Sequence, residues 1–175
     1  GLVENIFNLE SVLINYLIIL IYLLIFNYLN KLYLGDSGSY LLGLSSGILL
    51  ITLYNNIDNI SPFFIVLLLW YPCFENLFSI IRKYKFNSSP LEADNKHFHQ
   101  LLFNYLKKKF NYSNLFTNNF SSILINLFNL LIFFIASNDI FSSRLQISLI
   151  FLCMTVYGFL YFKLFNFRFR IKRKV

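Results

Sequence analysis

The 175-residue chain is 57% hydrophobic and 20% aromatic but only 13% charged, about half the charged share of a soluble domain. One water-soluble core of this length cannot hide that much apolar surface, so an ordinary soluble globule is excluded and an all-α, polytopic membrane helix bundle is expected. The formal net charge of +7 would suggest nucleic acid, but the basic residues follow the connectors between apolar runs, and no nucleic-acid partner is expected.

The first apolar run predicts a span over 11–30. A connector over 31–38 follows, and the stretch LYLGDSGSYLLG crosses it into the next run, a short span over 39–54. Gly35 and Gly38 permit backbone shapes that other residues resist, Ser37 and Ser39 offer hydroxyls, and Asp36 is the single acid. Two readings stand side by side. Asp36 is either part of a polar turn capping the second span, or a carboxylate placed for Mg²⁺, which takes one or two carboxylates plus phosphate oxygens. A third span over 61–81 carries Pro72 and Glu75 deep in apolar sequence. A charge there is costly and faces a cavity or a partner. Pro72 loosens the helix so that Glu75 meets solvent, or else Glu75 makes a structural interhelical hydrogen bond. Cys73 and Cys153 lie in apolar runs and read as small core residues.

The longest connector, 82–119, holds the stretch SSPLEADNKHFHQLL. Ser89 as N-cap, Pro90 at the first helical position and Glu92 three residues after Ser89 form a helix-start signature. Leu91, Phe98, Leu101, Leu102 and Tyr105 then recur at helical spacing, which predicts an amphipathic helix on the membrane face. His97 and His99 are the only histidines. With Asp94 and Lys96 they read as a solvated polar face, a zinc pair lacking a third ligand, or an anion site joined by Arg82 and Lys83.

Two more spans, 120–136 and 145–165, lead to the tail FRFRIKRKV, which reads as a juxtamembrane anchor to anionic lipid. Alternation of five spans puts Lys31, Arg82, Lys83, Lys85, Lys96, Lys107, Lys108, Lys109, Lys163 and the tail cations on one side and leaves Arg144 alone on the other. Positive residues mark the cytoplasmic side, so the N-terminus is expected out and the C-terminus in, with Asp36, His97 and His99 all facing the cytoplasm.

LGDSGSYLLG, then P-x-x-E leading into RK, then SPLEADNKHFHQLL, in that order, resemble the polyprenyl-phosphate N-acetylhexosamine-1-phosphate transferases (glycosyltransferase family 4). These share a superfamily with the phospho-N-acetylmuramoyl-pentapeptide transferase. The resemblance covers about residues 31–106. It implies a multi-pass enzyme of the bacterial cytoplasmic membrane. Such an enzyme moves a sugar-1-phosphate, by default N-acetylglucosamine phosphate, from a UDP-sugar to undecaprenyl phosphate, and it initiates a cell-surface glycan. It also implies Mg²⁺, with Mn²⁺ as the substitute ion. Asp36 would be the metal ligand in a turn shaped by Gly35, Ser37 and Gly38. His97 and His99 would contact the diphosphate or uridine, and Asp94 and Lys96 would orient their loop. Arg82 and Lys83 attracting a phosphate is an inference from charge, not from the motif.

Members often carry a further His where this chain has Gln100, and many have Asp where it has Glu75. The family's upstream aspartate pair and Asn-rich Asp-Gly motif are not in this sequence. The chain is therefore expected to be the C-terminal half of such an enzyme, inactive by itself and partnered by an upstream half, with a homodimer as a further arrangement. Pentapeptide-transferase-like activity is the nearest alternative. A small transporter with Glu75 on its pathway and an inactive membrane scaffold are the alternatives from other classes.

Overall fold

The computed structural model describes residues 2–85 and 96–172, and among them there is helix and no strand. The chain divides into two compact units, Gly1–Leu49 and Leu50–Val175.

The first unit holds α1 (Leu2–Tyr28) and most of α2 (Gly35–Asn56). Asn30 ends α1 in the left-handed region, φ 54°. Its N–H returns to Asn27 O at 2.9 Å, and the next N–H, of Lys31, returns to Phe26 O at 2.9 Å. This pairing satisfies carbonyls that a helix end otherwise leaves open. Gly35, at φ 62°, opens α2, a conformation a Cβ would strain. The second helix therefore starts at Gly35 and not at 39, and Asp36 lies in its first turn rather than in a separate connector turn. Tyr16 clips the two helices together: its hydroxyl lies 3.0 Å from Ser45 Oγ and 2.8 Å from Ser46 Oγ. Apolar residues such as Leu24 and Leu44 are 66% and 64% exposed.

The second unit holds α3 (Pro62–Leu68), α4 (Trp70–Lys85), α5 (Phe98–Phe110), α6 (Asn114–Ser137) and α7 (Ser143–Lys172). The run expected as a single span over 61–81 is broken into two helices, α3 and α4, bent by 70° at Leu69. Pro72 supplies the reason. It has no N–H for the carbonyl of Leu68 four residues back, and its ring crowds that carbonyl. The N–H of Leu69 turns to Val66 O at 3.2 Å, and regular bonding resumes from Cys73 N–H to Leu69 O at 3.2 Å.

Among the described residues four helices are long and apolar enough to cross a membrane, and the bent pair taken as one span makes five. α6 begins earlier than expected, where Ser113 Oγ caps it by accepting from Phe116 N–H at 3.3 Å.

The core of this unit is lined by Leu67, Trp70, Leu101, Ile132, Ala136, Cys153 and Tyr157. At one end Ser61 N–H donates to Ile140 O at 3.0 Å. Gln146, fully buried, donates to Ala136 O at 3.1 Å and Asp139 O at 2.8 Å. These bonds tie the α6–α7 turn to the start of α3. α5 packs on α6 and α7 with Phe98, Leu101 and Leu106 buried. Those three apolar residues of α5 are thus covered by protein. The helix begins at Phe98, since Lys96 and His97 are not helical. The expected start at Ser89, Pro90 and Glu92 lies outside the described residues.

Candidate functional site

Glu75 is the organising group of the second unit. It sits on α4, 8% exposed. One carboxylate oxygen, Oε1, accepts from His97 Nδ1 at 2.9 Å and from the Phe98 backbone N–H at 2.9 Å. The other, Oε2, accepts from the Tyr157 hydroxyl of α7 at 2.5 Å. A buried carboxylate persists only when its lone pairs are met by donors, and three donors from two other elements meet them here. Glu75 does not reach solvent, so that reading of Pro72 is corrected; the interhelical hydrogen bond is the one realised.

The local sequence explains why α5 starts where it does. The first N–H groups of a helix lack partners within the helix. Glu75 takes the N–H of Phe98, and Gln100 Oε1 takes the N–H of His97 at 3.2 Å. Gln100 thus has a capping role.

A carboxylate on Nδ1 assigns the ring proton to that nitrogen and leaves Nε2 of His97 to accept in the neutral ring or donate in the cation. His99 stacks beside it, with centroids 5.8 Å apart and planes within 15°. Desolvation by the surrounding protein lowers the His99 pKa from 6.5, the charge of Glu75 works against this, and His97 adds to the lowering. His99 is therefore held towards its neutral form.

A second cluster fixes the same segment one turn further along. Arg82 is buried, and its guanidinium donates to the Tyr161 hydroxyl at 2.6 Å, to Lys96 O at 3.0 Å and to Ser79 Oγ at 3.2 Å. Tyr161 also donates to Lys96 O at 3.1 Å. Arg82 thus holds the backbone before His97, and Lys96 takes part through its carbonyl. Lys83 is half-buried.

Tyr157 and Tyr161 were missed by the sequence reading, which treated α7 as one apolar span. Their signal was two hydroxyl-bearing rings four residues apart in VYGFLYFKLF, on one helix face.

In the first unit, Asp36 and Ser37 are exposed. A Cβ on Gly38 would come 3.0 Å from Leu34 Cδ2 and would have to displace that side chain, whereas the constraint at Gly35 is its positive φ and not space. Asp36 at the start of α2 gains from the helix dipole. Asp94 lies outside the described residues. The structure thus joins His97, His99, Lys96 and Arg82 in one place in the second unit, and holds Asp36, Ser37 and Gly38 together in the first.

Among the described residues no three His, Cys, Asp or Glu side chains form a metal-binding group. Among those residues the two histidines have no third protein ligand for zinc. A single carboxylate such as Asp36 fits Mg²⁺ that takes its other ligands from substrate phosphate and water. Comparison of the chain with family models, with curated proteins and with solved structures finds no match in any of the three.

Proposed function

We propose that the chain is the C-terminal part of a membrane phosphotransferase that moves a sugar-1-phosphate from a UDP-sugar to undecaprenyl phosphate at the cytoplasmic face. The observation that carries this reading is the buried Glu75 carboxylate holding both His97 and the first N–H of α5. A buried carboxylate is costly, and one of its oxygens is held on the His97 imidazole, an arrangement suited to an imidazole that meets a ligand.

The chemical problem is to bring two anions together. An oxygen of the lipid phosphate attacks the sugar-linked phosphorus of the nucleotide, the bond to the UMP oxygen breaks, and UMP leaves with the electron pair. Positioning and charge neutralisation carry most of the catalysis in such transfers. His97, oriented through Nδ1, and His99 beside it are suited to contact the diphosphate or uridine. Arg82 acts at one remove, by holding the Lys96 carbonyl. Asp36 would hold Mg²⁺, which when bound supplies positive charge against the phosphates.

The transporter reading is less well supported, because Glu75 is 8% exposed and its two carboxylate oxygens are met by three protein donors. The test is transfer of labelled sugar phosphate from UDP-N-acetylglucosamine to undecaprenyl phosphate. Membranes would contain the chain alone or the chain with its upstream coding segment. Transfer is expected only in the second case, and His97→Ala or Asp36→Ala should lower it about a hundredfold or more. Activity of the chain alone would refute the half-enzyme reading. Full activity of either variant would refute the site, and no transfer in any membrane would refute the reaction.

A further inference from the structure

A cavity of about 730 Å³ lies wholly within the second unit, between α4, α5, α6 and α7. This volume is within the range of about 300–1,000 Å³ that small-molecule sites occupy. Along α7 it runs from Val156 to Phe167, about 16 Å at the helical rise. Its walls are mostly apolar, and Leu124 and Leu160 on them are each 38% exposed.

Three polar features break that lining. Lys163 is the cation among the lining residues, and it has no hydrogen bond or ion pair among the described residues. The Tyr71 hydroxyl is buried with no hydrogen-bond partner among them. Asn129 accepts from Trp70 Nε1 at 3.1 Å, which leaves its NH₂ group as a donor. Of the three, the Tyr71 hydroxyl is the buried donor that lacks an acceptor, and such a group is costly; Lys163 is exposed and Asn129 half-buried at the cavity wall.

We propose that this cavity holds one acyl chain of an anionic glycerophospholipid, with the lipid phosphate at Lys163. The chain fills the apolar cavity, an ester carbonyl supplies the acceptor that Tyr71 lacks, and the phosphate neutralises Lys163. A resident lipid fits better than a reacting one, because His97, His99 and every acid are absent from the lining. The proposal rests on the membrane reading of the helices and not on the transferase reading.

Trp70 is the single tryptophan of the chain; it lines the cavity and is 5% exposed. Its fluorescence is therefore a local probe that bulk lipid does not reach. The full chain would be reconstituted in phosphatidylcholine vesicles doped with either phosphatidylglycerol or phosphatidylcholine brominated on the acyl chain. Quenching of Trp70 by the brominated phosphatidylglycerol is expected at about fivefold lower mole fraction, the preference one lysine gives near a surface. Lys163→Ala, an exposed position, should remove that preference, and Val156→Phe should lower quenching by both lipids. Equal quenching by the two headgroups in the native chain, or an unchanged preference in Lys163→Ala, would overturn the proposal. So would recovery of fluorescence by unlabelled undecaprenyl phosphate but not by unlabelled phosphatidylglycerol, which would assign the cavity to that lipid.

Discussion

Glu75→Ala is the sharpest perturbation of the second unit. It strips the acceptor from Phe98 N–H, Tyr157 OH and His97 Nδ1 at once. Phe98 and Tyr157 are 7% and 3% exposed, so water does not replace the lost partner, and each orphaned donor costs about 1–3 kcal/mol. His97 is 27% exposed, and its ring can be rehydrated. The two buried donors together set an expected loss of about 2–6 kcal/mol. Glu75→Gln should cost less, about 1–2 kcal/mol, the share of hydrogen bonds made to a charged rather than a neutral group. The amide oxygen can keep both bonds at the Oε1 position, and its NH₂ can donate to the Tyr157 oxygen. The assay is unfolding in mixed micelles followed by Trp70 fluorescence, with hydrogen exchange at the Phe98 amide as the local readout. Exchange there should quicken strongly in the alanine variant and little in the glutamine variant. An alanine variant within about 0.5 kcal/mol of the native chain, the range of ordinary surface substitutions, would refute the placement of Glu75 at the start of α5. Equal losses in the two variants would show that charge and not hydrogen bonding matters there.

Three further outcomes are expected. Asn30→Val should destabilise the first unit by about 1–2 kcal/mol, because a β-branched residue resists φ 54°, while Asn30→Gly should be nearly neutral; melting curves of the two variants separate them. The lowered pKa of His99 means that the unfolded chain takes up its proton first as pH falls below 6.5. Stability should therefore decline from that point down through the folded-state pKa, and His99→Gln should flatten the decline in a pH series of melts. Labelling of single cysteines by a membrane-impermeant maleimide, in a background freed of Cys73 and Cys153, should mark Lys85→Cys from the cytoplasmic side and Asp58→Cys from the other. The reverse pattern would overturn the expected orientation.

Much of the helical layout was legible in the sequence. Runs of apolar residues long enough to cross a bilayer must be helical there, because each backbone polar group needs a partner within its own segment. That argument needs no tertiary information, and each expected run falls on one of the long helices, although α1 begins at Leu2 rather than 11, α6 at Asn114 rather than 120, and α7 continues to Lys172 rather than 165. It was weakest where a local device outweighed hydropathy. Pro72 bends the third run at Leu69, three residues before the proline itself, since the damage falls on the carbonyl that its missing N–H would have served. Ser113 and Gly35 start α6 and α2 earlier than their apolar content indicates, because capping and backbone shape set a helix boundary where hydropathy does not.

For the site, the sequence by itself determined which residues had to be accounted for: one acid in a glycine-rich stretch, one acid in an apolar run, and two histidines beside a cluster of cations. Their rarity in so apolar a chain was the whole signal. Only the tertiary structure decided that Glu75 and His97, 22 positions apart, are partners, and that two tyrosines of α7 complete their surroundings. Hydropathy ranks a tyrosine by its ring, and nothing in its spacing says where the hydroxyl will point. Hydrogen bonds across helices depend on the rotation of each helix about its axis, which packing of Trp70, Phe98, Cys153 and Tyr157 in the shared core sets. The sequence therefore names the charged groups, and the packed bundle assigns their partners.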